Sequence, residues 1–218
     1  MKKYRILVFT FFVLIISSTP CFSSVDISPG VKLGINFTKS YYSQESIGIH
    51  DGDYPKYAYP IGSIAGVFFE TEFTKHLSLL NEIFFLEKIT KITTSHVPEI
   101  LIRDEVKWKY LRLSCVLKFK IPVILKPYLL LGLDIGQLLK AENKTFEPVG
   151  NYLTDTLDIT DELSSIDISM DLGIGKIFKL SKVNFILEIR GLIGFTKYDR
   201  LGIRRNCDLQ TILGIQFI

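Results

Sequence analysis

Between residues 166 and 197 apolar and polar positions alternate on either side of a short turn. Ile166, Ile168, Met170, Leu172, Ile174 and Phe178 share one face, opposite Asp167, Ser169, Asp171, Gly173 and Gly175. After Leu180, Ser181 and Lys182, the residues Val183, Phe185, Leu187, Ile189, Ile193 and Phe195 share a face opposite Asn184, Glu188 and Arg190. A period of two is the mark of a strand with two unlike faces. A turn this short makes the two strands antiparallel neighbours. Both exceed the usual five or six residues of a soluble strand. They reach the roughly ten residues that a tilted strand needs to cross a bilayer.

The same alternation predicts six more strands, at residues 30–39, 62–73, 77–91, 105–120, 127–140 and 207–218. In the first, Val31, Leu33, Ile35 and Phe37 alternate with Lys32, Gly34, Asn36 and Thr38. In the second, Ala65, Val67, Phe69, Thr71 and Phe73 oppose Gly66, Glu70 and Glu72. In the fifth, Leu129, Leu131, Leu133 and Ile135 oppose Gly132, Asp134 and Gly136, and in the last Leu209, Leu213, Ile215 and Phe217 oppose Asp208, Gln210, Gly214 and Gln216. Two strands are less regular. In the third, Leu79, Ile83 and Phe85 oppose Glu82 and Lys88, but Asn81 falls on the apolar face and Phe84 on the polar one. In the fourth, Leu111, Leu113, Cys115, Leu117 and Phe119 oppose Arg112, Ser114, Lys118 and Lys120, yet the first half alternates in the opposite sense, with Trp108 and Tyr110 against Lys107 and Lys109. Either a bulge shifts the phase there, or Trp108 and Tyr110 stand above the bilayer.

The connections at residues 40–60, 74–76, 92–104, 121–126, 141–165, 180–182 and 198–206 alternate long and short. A membrane barrel has short turns on its periplasmic side, long loops outside and both termini inside. The pattern therefore predicts an all-β fold, an eight-stranded antiparallel up-and-down transmembrane β-barrel. No run after the N-terminus supplies the roughly 20 apolar residues of a spanning helix. A closed barrel is then the only way for the chain to span, since open sheet edges are not left in hydrocarbon.

The first 23 residues read as a secretory signal peptide. Lys2, Lys3 and Arg5 precede an apolar core at residues 6–16, and Cys21 and Ser23 occupy small positions before a cut ahead of Ser24. A lipidated Cys21 and a membrane anchor are the alternatives. The remaining residues, 24–218, form the barrel domain. Removing three basic groups from 26 balances the 23 acidic ones, so the charge gives no ground for nucleic-acid binding. Cys115 and Cys207 fall on apolar faces of strands that are not sequential partners, which predicts free, lipid-facing thiols.

Taken in order, these segments resemble the PorT-like outer-membrane β-barrel proteins, small eight-stranded OmpX-like barrels of Bacteroidetes-type bacteria. The pieces that carry the resemblance are VKLGINF, GSIAGVFFETEFTKHLSLLNEIFF, YLRLSCVLKFK, PYLLLGLDIGQLL, DISMDLGIGKIF, FILEIRGLIGF and the closing LGIQF. They cover nearly the whole chain after the leader, and their order and spacing weigh more than any one piece. The chain departs from the family at Ser114, where Pro is common, and at Ile218, where an aromatic is usual. The resemblance implies a non-enzymatic integral outer-membrane protein with a role in secretion support, adhesion or envelope integrity. The runner-up reading is a soluble periplasmic lipocalin-like barrel that binds a small apolar ligand.

Candidate chemistry is sparse. His50, His76 and His96 fall in separate turns and loops, no metal-ligand spacing is present, and no cofactor is expected. GIGK at residues 173–176 is a fragment of a phosphate-loop pattern placed mid-strand. Its glycines are better read as room for a large side chain from a neighbouring strand. Tyr41, Tyr42, Tyr54, Tyr57 and Tyr59 cluster around the first long loop, as an interfacial girdle or as a surface for a ligand or partner. Glu70, Glu72, Glu82, Arg112, Lys118, Asp134, Asp171, Glu188 and Arg190 point into the expected lumen. Counted from the short turns, Glu72, Glu82 and Lys118 come low, and Arg112, Asp134, Asp171 and Arg190 nearer the middle. Eight strands enclose a space that side chains can fill. The expectation is a cross-lumen charge network and a plugged barrel rather than an open pore, with a wetter lumen of separately hydrated charges as the alternative. The expected partners are outer-membrane lipid, the barrel-assembly machinery and an extracellular or secretion partner at the long loops, around a monomer.

Overall fold

The computed structural model describes residues 26–42, 56–58, 60–97, 100–123, 127–146, 153–162, 164–196 and 203–217. The expected leader at residues 1–23, Tyr54, Tyr59 and His50 lie outside the described residues, and Tyr41, Tyr42, Tyr57 and His96 are described in backbone only.

Long alternating segments pair with their sequence neighbours because each must satisfy its backbone without water. Eight strands do so: β1 (Asp26–Tyr42), β3 (Ile61–Glu72), β4 (Leu77–Val97), β5 (Ile100–Lys120), β6 (Pro127–Phe146), β8 (Ile166–Leu180), β9 (Val183–Gly194) and β10 (Ile203–Phe217). All adjacent pairs are antiparallel, and β1 pairs with β10 from Gly30 opposite Gln216 to Tyr42 opposite Ile203, closing an eight-stranded barrel. The short turns, including the two residues between β8 and β9, lie at one end with both chain ends of the barrel. Ser181 takes the left-handed conformation there, with φ 46°.

All four long connections hold more strand than expected, the last through the start of β10 at Ile203, opposite Tyr42. The region 92–104, anticipated as a polar loop, is mostly strand: β4 and β5 pair continuously from Leu77 opposite Phe119 up to Ser95 opposite Leu101, and again at Val97 opposite Ile100. β6 runs on to Phe146 and carries a further strand, β7 (Leu153–Asp158), inside the expected loop at 141–165. A short β2 (Lys56–Ala58) pairs with Lys91–Thr93 of β4. The wall is therefore tall across β4, β5 and β6, at 21, 21 and 20 residues, and low at β3 and β9, at 12 each.

Outside and inside follow the sequence pattern closely. Leu33, Val67, Phe69, Phe85, Leu117, Leu131, Leu172, Ile189 and Leu213 are all exposed on the outer wall. Asn81 shares that wall, and Phe84 points inward, 3% exposed. Thr71, expected outside, is buried at 4%. Both cysteines are free thiols, Cys115 exposed and Cys207 partly buried.

The structure excludes a bulge on the fourth expected strand itself and keeps Trp108 and Tyr110 inward, where the outer face is charged. β5 holds one phase throughout, with Val106, Trp108, Tyr110, Arg112 and Ser114 all facing in. The bulge lies on its partner β6, where Lys140 opposes Lys109 but Leu138 opposes Tyr110, leaving Leu139 unpaired. Leu138 and Ala141 face inward while Leu139 and Lys140 are exposed.

The interior glycines lie under large side chains. A Cβ on Gly175 would fall 2.4 Å from the Tyr128 ring, and one on Gly173 3.0 Å from Arg190 Cγ. The GIGK glycines thus seat two inward side chains of neighbouring strands. Gly132 is confined as well: a Cβ there would come 2.5 Å from the Cys115 carbonyl oxygen.

Candidate functional site

The lumen is lined by polar side chains because the alternation that sends Leu and Phe to the outer wall sends their neighbours inward. Among the described residues twelve charged ones are buried there: Glu70, Glu82, Asp134, Asp167, Asp171, Glu188 and Asp208 against Lys32, Lys88, Arg112, Lys118 and Arg190. Isolated buried charges cost several kcal/mol each, so they persist only when paired. Their ion pairs fall into three tiers.

The lowest tier centres on Glu70 of β3. Lys118 of β5 approaches it at 2.7 Å, the Ser78 hydroxyl of β4 donates to it at 2.6 Å, and the Gln216 amide of β10 at 2.8 Å. Asn184 of β9 donates to Gln216 at 3.0 Å. Lys118 also lies over the Tyr128 ring, 4.4 Å from its centroid.

The middle tier is built on Arg190 of β9. Its guanidinium bonds to Glu82 of β4 at 2.5 and 2.8 Å, to Asp171 of β8 at 2.9 Å and to Glu188 of its own strand at 2.6 Å. Lys32 of β1 bridges Glu82 at 2.6 Å and Glu188 at 2.9 Å, and the Tyr128 hydroxyl of β6 donates to Glu188 at 2.7 Å. Planar guanidinium and several carboxylates suit one another because its fixed N–H fork can serve more than one of them.

The upper tier joins β4, β5, β6, β8 and β10. Lys88 pairs with Asp167 at 3.1 Å and with Asp208 at 2.7 Å. Arg112 pairs with Asp167 at 2.6 Å and lies 3.8 Å from Asp134, whose carboxylate accepts the Ser114 hydroxyl. Together the three tiers tie all eight barrel strands.

Of the nine residues singled out in the sequence, eight lie in this interior. Glu72 does not: its side chain is 42% exposed at the short-turn rim, where it pairs with Lys120. Glu82 was expected low and instead reaches the middle tier, because tilted strands place residues equally far from their turns at different depths. Lys32, Lys88, Asp167 and Asp208 complete the network and were not singled out. Each sits in the inward phase of its strand, so the alternation alone could have found them.

Alongside the upper tier the inward face of β4, β5 and β6 becomes largely apolar, with Lys88 of that tier opposite Trp108. Leu86, Val106, Trp108, Tyr110, Leu138, Ala141 and Ile159 form a buried cluster with Ile64, Phe84 and Ile212. The outer face at this height is charged: Lys107 pairs with Glu87 at 2.9 Å and Lys140 with Glu142 at 2.5 Å. His76, the one histidine with a described side chain, is exposed in a short turn, its Nδ1 3.3 Å from the Lys120 carbonyl oxygen.

Closed pairing, an apolar outer wall and a charged interior are the geometry of a lipid-embedded barrel. The sequence match agrees, because the family model described as outer membrane protein beta-barrel domain covers residues 22–200. The chain belongs to this family. It is an outer-membrane β-barrel protein. Solved barrels of similar architecture include Ail, the attachment invasion locus protein of Yersinia pestis, at 14% identity and TM-score 0.44, covering 90% of this chain and 99% of that one. OprG of Pseudomonas aeruginosa matches at 11% identity and TM-score 0.44, covering 87% and 95%. Neisserial surface protein A matches at 8% identity and TM-score 0.42, covering 89% and 99%. No curated protein matches the chain. A soluble lipocalin-like carrier would need the reverse of the faces found here.

Proposed function

We propose that this protein is a non-enzymatic outer-membrane barrel with a plugged lumen, which works through its outer surface rather than as a pore. One observation carries the reading. The side chains of Lys32, Glu82 and Glu188 have no exposed area, and those of Arg190, Arg112 and Asp167 have 1% each. A hydrated channel would leave such groups open to water. Instead they fill the cross-section, as an eight-stranded barrel permits. With the lumen closed, the tall wall of β4, β5 and β6, with β2 and β7 attached, is the part offered to the outside. That placement suits a role in adhesion, in envelope integrity or in PorT-like support of secretion, with a partner met at the outer rim.

Planar-bilayer recording of the purified monomer tests the plug. Little or no conductance is expected from the wild type, and an increase in Arg112→Ala, which opens the upper tier. Steady ohmic conductance from the wild type overturns the reading.

A further inference from the structure

The outer wall carries one cation where its surroundings call for none. Lys176 of β8 sits in the outward column Ile174, Lys176, Phe178, Leu180, whose apolar members are 50%, 47% and 61% exposed. Leu187 of β9 lies opposite it on one side and Pro127 of β6 on the other. Leu129 and Phe185, the next outward residues of those strands, are exposed and apolar as well. Its one described partner is the Phe178 ring, 4.8 Å away at the centroid, and no described carboxylate pairs with it. Other cations of the barrel that face low-dielectric surroundings have acids beside them, as Lys32, Lys88 and Lys118 do.

The surrounding sequence carries no such acid. From Ile174 to Leu187 the hairpin contains Lys176, Lys179 and Lys182 and no Asp or Glu. Lys179 and Lys182 are exposed at the tip, beside the short turn. In a protein whose charges balance once the leader is removed, three positive charges are thus gathered at the periplasmic end of one hairpin. A lysine with its stem on apolar wall reaches with its ammonium towards the headgroups. Exposed Phe178 and Leu180 below it hold the wall in contact with lipid down to that level.

We propose that the β8–β9 hairpin binds an anionic phospholipid of the periplasmic leaflet, with Lys176 on the headgroup phosphate and Lys179 and Lys182 adding to the field. The acyl chains lie along Ile174, Leu187 and Leu129. The lipid supplies the counter-charge that the protein omits.

The test compares spin-labelled phosphatidylglycerol with spin-labelled phosphatidylcholine around the full barrel refolded in phosphatidylcholine vesicles. The fraction of label immobilised at the wall gives the relative association of the two lipids. One basic group near the membrane surface favours an anionic lipid by about fivefold. The wild type should therefore prefer phosphatidylglycerol by at least about fivefold, a preference abolished in 1 M salt. Lys176→Gln should lose most of it, Lys176→Arg should keep it, and Lys75→Gln, in a different short turn, should behave as wild type. Lys176→Met, which leaves no polar group in the apolar column, serves if the glutamine variant does not fold. Equal association of both lipids with the wild type, or a preference unchanged in a folded Lys176 variant, overturns the proposal.

Discussion

Two regions of one wall follow opposite rules. Across β8 and β9 the exposed side chains include Ile168, Leu172, Ile174, Leu187 and Ile189, and the buried ones include Asp167, Asp171, Glu188 and Arg190 beside Ile186 and Leu192. At the top of β4, β5 and β6 the buried side chains are mostly apolar, Leu86, Val106, Trp108, Tyr110 and Leu138 around Lys88 and Thr90, and the outer ones are Glu87, Lys107, Lys109 and Lys140. The backbone is the same antiparallel ladder in both. What differs is the medium. In lipid the outer face must be apolar and charges survive only by pairing within. In water the outer face can be charged, and stability comes from an apolar interior. The crossover shows directly on β5, where Leu111 points out beside Lys109 and Arg112 points in beside Tyr110.

The strongest blow to the lipid-side rule is removal of Arg190. Arg190→Ala strands the buried Glu82, Asp171 and Glu188, leaving Lys32 to balance two of them. Breaking one buried pair costs about 3–5 kcal/mol, and three carboxylates lose their partner at once. The heat-modifiable band on gels should be absent, or its urea midpoint in lipid greatly lowered. A midpoint within error of wild type would show that the middle tier does not hold the strands.

The water-side rule is broken by Leu86→Ala. A buried leucine truncated to alanine costs about 2–5 kcal/mol. Here the loss should fall on the tall wall and on Lys88 beside it, leaving the lowest and middle charge tiers intact. Protease cleavage in the region of β4, β5 and β6 should rise while the barrel stays folded and closed to ions. Loss of the gel shift instead would mean that the two regions fold as a single cooperative unit.

One substitution made twice sharpens the boundary. Leu131→Arg puts a charge on the lipid-facing wall of β6 and should destabilise by about 2–4 kcal/mol. Leu139→Arg, on the same face of the same strand but beside Lys140, should cost about 0–1 kcal/mol, as substitutions near the interface do. Equal costs in a lipid refolding assay would place both positions at one depth and remove the boundary drawn between them.

The barrel was legible in the sequence because period-two alternation survives wherever one face is wholly lipid. Residues 166–180 and 183–194 read without ambiguity, and the strand count and the long-short order of connections followed. The tops of β4 and β5 did not, since charges outside and aromatics inside reverse the signal, and a polar stretch such as 92–104 then looks like a loop. The β6 bulge was hidden as well: Leu138, Leu139, Lys140 and Ala141 carry no glycine or proline to mark it. Within the lumen, inward direction was readable for every tier, but depth was not. Strand tilt moved Glu82 up to Arg190, and rim geometry left Glu72 outside. Lys32, Lys88, Asp167 and Asp208 stood in the right phase all along. Partner choice among inward charges depends on the stagger of eight strands, which no local spacing records.

The smallest expected effect lies where the outer extension is pinned. Asp158 ends β7, and its carboxylate accepts the Thr160 hydroxyl at 2.5 Å and the Thr160 N–H at 3.0 Å. These bonds hold its pKa below the ordinary value, the hydroxyl contributing most. The same hydroxyl oxygen accepts the Ala141 N–H at 2.9 Å, and the Ile159 N–H donates to the Ala141 carbonyl at 3.0 Å. The turn therefore sets Ile159 into the apolar cluster just past the β6 bulge. A depressed carboxylate pKa stabilises the folded turn above the unfolded value, about 3.9, and the contribution is lost as pH falls through the lower folded value. Because Asp158 is exposed, the loss should be local, with the barrel staying folded. Hydrogen exchange at the Ile159 amide, corrected for its intrinsic pH dependence, should show protection that is constant from about pH 7 to 5 and declines below about pH 3.9. Thr160→Ala should lower protection at neutral pH and flatten the acid decline. Protection in the wild type that holds unchanged into the acid range would show that the Ala141 contacts pin the turn without Asp158.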